Sequence, residues 1–307
     1  MNSWNLFEPN HPLACRDAEQ LNYPFYFSEK VDGIRGVFLG GEVRSKTMKL
    51  LPNVKLQEYF SPLLTWLERN NFVLDGEIIG NTFQETVSVC MSKDKEIPDH
   101  LKVLGMAILT RDQWDGETPW IFERHNRQHV HLTLPTHCKF EMIHQIKINA
   151  KQIFDLFHDI AKEKSWEGYV IRYPNSRYKH GRAGKYDGFY KFKFMKEYSG
   201  KIIGVRPLEV NSSSALRTKD VFNRLETIHT KDDKVKVPTM GSLLVKLTDG
   251  VTCKIGTWRG LTEEERINLW QRREELIGTP IDFLGQAVGI KDKPRIPHEV
   301  RIRWEEK

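Results

Sequence analysis

The sequence predicts an α+β chain in two parts. Residues 1–198 carry mostly antiparallel strands with helices set between them, and residues 199–307 suit a small β-barrel of OB type. Three observations carry this. Period-two strands separated by glycine turns recur through the first part, two stretches with helical apolar spacing interrupt them, and strand patterns with a single capped helix follow "KEYSG".

Residues 25–44 hold "FYFSEKVDGIRGVFL", "GG" and "EVRSK", which read as strand, turn, strand. In "PNVKLQEYFSPLLTWLERN" the spacing places Leu56, Tyr59, Phe60, Leu63 and Leu64 on one helix face. Strands follow at "FVLDGEII" (72–79) and "LKVLGMAIL" (101–109). The stretch "NAKQIFDLFHDIAKEKS" repeats the helical spacing through Ile153, Leu156, Phe157 and Ile160. "EGYVIRY" (167–173) and "GFYKFKF" (188–194) return to strand. Residues 208–237 are polar, serine-rich and charged, without a sustained apolar period, and read as a long loop. Beyond them a hairpin turns at Asp249-Gly250, and Thr262 with Glu265 opens a helix that Gly278 closes. "PIDFLGQAV" and "EVRIRW" supply the last strands.

The balance of 47 basic against 41 acidic residues gives a net charge of +6, compatible with a polyanionic partner. Cys15, Cys90, Cys138 and Cys253 are scattered, with neither zinc spacing nor a disulfide framework, so a reducing compartment is expected. There is no basic leader followed by an apolar core, and no long apolar run. The expectation is a soluble intracellular protein that does not enter a membrane.

Lys30 sits inside K-x-D-G-x-R, "KVDGIR". A lysine is a nucleophile only when neutral, and desolvation or neighbouring cations favour that form. Lys191 and Lys193 in "KFK" share one strand face at i and i+2, and "RYKHGRAGK" (177–185) is a cationic loop. These lysines fit either the solvated face of an edge strand or the wall of a phosphate-holding cleft. Asp75 and Glu77 in "LDGEI" and Glu167 in "EGYVIR" are acids on strands. Carboxylates converging on a phosphate site imply a divalent cation between them, Mg²⁺ or Mn²⁺.

In the order K-x-D-G-x-R, L-D-G-E, E-G-x-V-I-R, K-x-K the chain resembles the covalent nucleotidyltransferases, the superfamily of DNA ligases, RNA ligases and mRNA capping enzymes. "TFQETVSVCM", "EGYVIRYPNSRYKHGRAGKYDGFYKFK", "MGSLLVKLTDGVTCKIGT" and "KPRIPHEVRIRWEEK" narrow the resemblance to the minimal ATP-dependent DNA ligases of viruses and phages. The resemblance implies a nucleotidyltransferase (adenylation) domain over 1–198 and an OB-fold domain over 199–307. Lys30 would attack the α-phosphate of ATP, release pyrophosphate and carry AMP. Arg35 and Glu77 would contact the ribose, with Glu29, Met106 and Arg172 also at the nucleotide. Lys191 and Lys193 would hold the α-phosphate, Asp32, Glu77 and Glu167 would serve the metal, and Arg303 would orient pyrophosphate. AMP would pass to the 5′-phosphate of nicked double-stranded DNA, and the 3′-OH would seal the break. The enzyme would work as a monomeric clamp in the cytoplasm of a host bacterium or virus-infected cell, with no separate DNA-binding module.

The implied DNA contacts are Arg44 and Lys46 near the nick, Lys179 and Arg182 in the cationic loop, and Arg217, Lys219, Arg224, Lys231, Lys234 and Lys236 in the 208–237 segment, read as a groove-entering loop. Three positions depart from the group. Met106 stands where an aromatic residue stacks on adenine, Ser45-Lys46-Thr47 replaces Ser-Arg-Thr, and His298-Glu299 replaces apolar residues, with Lys307 ending the chain. An RNA ligase or capping enzyme would share the lysine chemistry. A nucleic-acid binding protein with a decayed site is the non-enzyme alternative.

Overall fold

Strand Phe25–Glu29 and strand Ile34–Leu39 are consecutive, yet they belong to different five-stranded sheets. The computed structural model describes residues 5–15, 21–116, 118–133, 138–212, 217–227, 234–258, 260–286 and 293–306. It divides the chain into Met1–Lys193 and Phe194–Lys307. Each is mixed α/β with mostly antiparallel sheets.

In the first unit one five-stranded sheet runs in the order 13–14, 189–193, 168–172, 25–29, 146–148, a second in the order 42–44, 34–39, 72–79, 102–110, 140–142, and a short ladder pairs 118–119 with 177–178. Two pairings are parallel, 13–14 with 189–193 and 102–110 with 140–142. The second sheet buries its apolar face through Phe38, Leu74, Ile78, Val103 and Ile108, against Leu56, Phe60, Leu63 and Leu67. The helix expected across 52–70 is two, Val54–Tyr59 and Ser61–Arg69, because Pro62, which has no N–H, opens a new first turn.

Helix Lys151–Glu163 presents a different stripe from the one its spacing suggests. Phe154 and Ala161 are buried, whereas Ile153 and Leu156 are 40% and 58% exposed. Aromatic packing sets this rotation. Phe154 meets Phe25 at 5.8 Å and Tyr169 at 5.8 Å between ring centres, and Phe157 meets Phe27 at 5.9 Å. Phe157 packs on the sheet as its spacing suggests, and Phe154, outside the expected stripe, takes the place of Ile153 and Leu156.

The larger sheet of the second unit is antiparallel, in the order 252–255, 234–247, 196–211, 280–286, 295–302. No pairing closes it into a barrel among the described residues. Ile202, Leu243, Val245, Ile255, Ile281 and Phe283 form its core. Helix Glu263–Gln271 begins with the expected capping box, Thr262 and Glu265, but ends at Arg272 rather than reaching Gly278. The hairpin turns at Gly250 with φ +86°.

The segment expected to be a loop is largely a ribbon. Strands Lys196–Asn211 and Lys234–Leu247 stay paired out to Asn211 opposite Lys234, and a second small hairpin pairs Arg217–Lys219 with Leu225–Thr227. Val210, Val235 and Leu225 are exposed, and no large apolar side chain of the arm is fully buried among the described residues. Without a buried face there is no selection for alternation, which is why the sequence shows none.

Candidate active site

Lys30 follows directly on strand Phe25–Glu29, and its backbone N–H donates to the Gly168 carbonyl at 3.0 Å. That bond brings the first motif beside the third. The Lys30 Nζ forms an ion pair with Glu167, and the other Glu167 oxygen meets Lys193 Nζ at 2.8 Å. The glycines of these motifs are steric requirements. A Cβ at Gly33 would lie 2.2 Å from the Ile78 carbonyl oxygen, and one at Gly168 would lie 2.0 Å from that of Phe192.

The turn 30–33 carries the chain from one sheet to the other, and a cavity of about 240 Å³ opens between them. Lys30, Glu29, Arg35, Glu77, Met106, Arg172, Lys191 and Lys46 all line it. Sequence-distant motifs thus share one wall. Arg35 and Glu77 are directly opposed across antiparallel strands. Arg35 donates to both oxygens of the buried Asp75 at 2.5 Å and to the Asn10 carbonyl at 2.9 Å. Desolvation works against its charge, but Asp75 more than offsets that and keeps it ionised.

Glu77 is pushed up to about 7, first by desolvation and further by Asp75, while Arg35, Lys30 and the Gly33 N–H pull the other way. Its protonated form is thus favoured to well above the ordinary carboxylate range. Its sign in stability is set by this rise. As pH climbs from the ordinary carboxylate range through 7, the unfolded chain ionises first and the fold loses stability. Glu77→Gln removes that loss, so its melting temperature is expected to exceed wild type at pH 8 and to match it near pH 4.5. Thermal unfolding at both pH values checks this.

Arg172 is 3% exposed and lies between rings, 3.6 Å from the Phe189 centre and 4.0 Å from that of Trp120. Its Nη2 donates to Asn10 Oδ1 at 2.5 Å. Arg127 shares its Nε–H between both Glu123 oxygens, at 2.8 and 2.9 Å, and donates from its terminal nitrogens to the carbonyls of Ile143, at 3.0 Å, and of Met106. Met106 and Ile143 are thereby tied together on the cavity wall.

The cations converge. Lys191 is pushed below the ordinary lysine range by desolvation, then by Lys193, Lys30, Lys46 and Arg182. Such a field selects an anion. Arg44 is turned to local partners, Glu42 and the Met48 carbonyl at 2.8 Å. Lys179 pairs with Asp187, and with Arg177, Arg182, Lys185 and the exposed Tyr186 it lines a second, open groove of about 1150 Å³.

In the second unit Arg217 and Lys219 are exposed on the small hairpin, and Arg224 pairs with Asp220 at 2.7 Å. Lys234 and Lys236 lie exposed on the arm, whereas Lys231 and Lys307 fall outside the described residues. Arg303 pairs with Asp282 at 3.1 Å.

No three His, Cys, Asp or Glu side chains gather into a metal cage among the described residues. Asp32, Glu77 and Glu167 thus form no preformed cluster. Glu167 and Asp32 offer the hard oxygen donors that Mg²⁺ accepts, and Mg²⁺ commonly takes one or two carboxylates and fills its shell with phosphate and water.

Sequence reasoning missed Asn10, Tyr178, Trp120 and Phe189. Tyr178 donates to Asp75 at 2.8 Å, and Asn10 bridges Arg35 and Arg172. Only Tyr178 carried a signal, as the apolar position inside the cationic "RYKHGR".

No family model matches the sequence, and no curated protein matches it. Solved structures do. The Chlorella virus DNA ligase-adenylate is 25% identical over 97% of this chain and 99% of its own, with a TM-score of 0.52. A structure named Pmar-Lig_PreS3 is 17% identical, covering 96% of this chain and 67% of its own at a TM-score of 0.73. A Lig E DNA ligase, described as binding DNA with a minimal scaffold, is 20% identical over 95% and 98% at a TM-score of 0.65. No helix among the described residues is long and apolar enough to cross a membrane. With its motifs gathered on one cavity and its length aligned end to end with the Chlorella virus enzyme, the chain has the fold of the DNA ligases.

Proposed function

We propose that the chain is an ATP-dependent DNA ligase that seals nicks in duplex DNA through a lysyl-AMP intermediate. The observation that carries this is Lys30, placed in a nucleotide-sized cavity against Glu167 and among Lys191, Lys193 and Lys46. Lys30 Nζ attacks the α-phosphorus of ATP, a P–N bond forms, and the bridging P–O bond to pyrophosphate breaks. The proton leaving Nζ passes to Glu167, its partner in the structure. Lys191 and Lys193 hold the charge that develops on the α-phosphate oxygens. Arg35 and Glu77 fix the ribose, and Glu77, keeping a proton part of the time, acts there as a hydrogen-bonding group.

Met106 and Val170 supply apolar contact for the base, with Met106 in the place of the usual aromatic ring. Glu167 and Asp32 would hold Mg²⁺, which when bound would neutralise triphosphate charge. A 5′-phosphate oxygen then attacks the bound AMP and frees Lys30. The 3′-OH attacks the activated phosphate, AMP departs, and the nick is closed. Lys46 and Arg182 receive the 5′-phosphate, and Arg303 orients pyrophosphate. The second unit is an OB-type domain whose arm, with Arg217, Lys219 and Arg224, adds DNA contacts to a monomeric clamp.

The test pairs intact mass with strand joining. Protein stripped with pyrophosphate and then given ATP and Mg²⁺ gains one AMP, about 329 Da, and gains nothing from GTP or NAD. It then seals nicked DNA duplex and leaves nicked RNA duplex open. Sealing of RNA alone would make the chain an RNA ligase, and the absence of any adduct would make it a binding protein.

A further inference from the structure

His11 stands in the wall of the same cavity, at a position no motif marks. Its backbone is fixed on both sides. The N–H donates to the Gly181 carbonyl at 2.8 Å, the carbonyl accepts from Ala183 N–H at 2.8 Å, and the residue pairs in parallel register with Arg182. The imidazole is thus anchored to the cationic loop, while its Nε2 is buried without a hydrogen-bond partner among the described residues. A buried nitrogen left unmet is costly, and native structures keep such groups where a ligand or water completes them.

The charged groups that act most strongly on the ring are cations, although Glu29, Asp75 and Glu77 line the same cavity and Asp75 grips Arg35. Burial, then Arg35, Lys46, Lys191 and Arg182, hold His11 far below the ordinary histidine range, at about 3. Burial and these cations favour the uncharged ring. In the tautomer protonated at Nε2 it adds direction, one N–H donor, beside Lys46, Lys191 and Arg182, which supply charge.

We propose that His11 is a phosphate ligand of this cavity, donating one hydrogen bond from Nε2 to a non-bridging phosphate oxygen. The proposal rests on the ligase reading, under which two phosphates reach these cations in turn, the α-phosphate of ATP and the 5′-phosphate of the nick. The chemistry of recognition is shared, and the two steps separate the sources.

His11→Ala and His11→Asn are each assayed for AMP loading at subsaturating ATP and for nick sealing by protein already carrying AMP. The alanine variant is expected to slow one step by about 10- to 100-fold, and asparagine, which restores an N–H donor, to recover most of it. Slowed loading assigns the contact to ATP, and slowed sealing assigns it to the nick. Rates unchanged in both variants, or asparagine no better than alanine, overturn the proposal. If wild type takes up no AMP, the ligase reading falls instead. The rise in melting temperature on adding ATP, kept in wild type and asparagine and lost in alanine, then still reports the phosphate contact.

Discussion

Lys30→Ala and Lys30→Arg both stay folded and both take up no AMP, with loading reduced at least about 1,000-fold. The fold survives because Lys30 is a partly exposed residue at a strand end, and Glu167 keeps its 2.8 Å pair with Lys193 when Lys30 is truncated. No buried charge is left alone, so the large penalty for a broken buried pair does not apply. The arginine variant is the sharper of the two. It preserves the charge opposite Glu167 but lacks an amine that becomes neutral and nucleophilic, so it separates electrostatic support from covalent chemistry. Intact mass after ATP and Mg²⁺ gives the adduct, and thermal unfolding gives the fold. An adduct retained by either variant would move the nucleophile to Lys46, Lys191 or Lys193, the neighbouring amines.

The parts of the site legible in the sequence are those whose chemistry is local. K-x-D-G-x-R reads directly because Lys30, Gly33 and Arg35 each act within one turn and one strand: the amine at the strand end, the glycine under the Ile78 carbonyl, the guanidinium pointing at the next strand. Lys191 and Lys193 read because period two places them on one face. Partnership across the chain does not read. The acid that fixes Arg35 is Asp75, diagonal to it, whereas Glu77 lies directly opposite, and which of two carboxylates two residues apart receives the guanidinium depends on the fold around Tyr178 and Asn10. Arg172 likewise owes its place to Trp120 and Phe189, which no short-range pattern links to it.

Helix 151–163 and the 208–237 segment fail for opposite reasons. The helix offers more apolar residues than one face needs, and ring packing against Phe25 and Tyr169 chooses Phe154. The arm offers no apolar period at all, because both faces of its ladder are solvated, so a paired ribbon and a loop look alike in sequence.

Removing residues 212–233 and joining Asn211 to Lys234 through a two-residue turn spares AMP loading and lowers nick sealing about 100-fold at low ionic strength. The junction is chosen because Asn211 and Lys234 are the last paired residues of the ribbon, so a tight turn closes the existing register. The core does not feel the loss. Ile202, Leu243 and Val245 lie on the inner parts of the same two strands, and the arm itself buries no face. What disappears is the cationic small hairpin, with Arg217 and Lys219 exposed and Arg224 held by Asp220. If two of these touch phosphates, the salt dependence of DNA affinity falls by about two in log–log slope, and the gap from wild type narrows as salt rises. Loading and sealing lost together would place the defect in the fold, and an unchanged slope would remove the arm from the DNA contacts altogether.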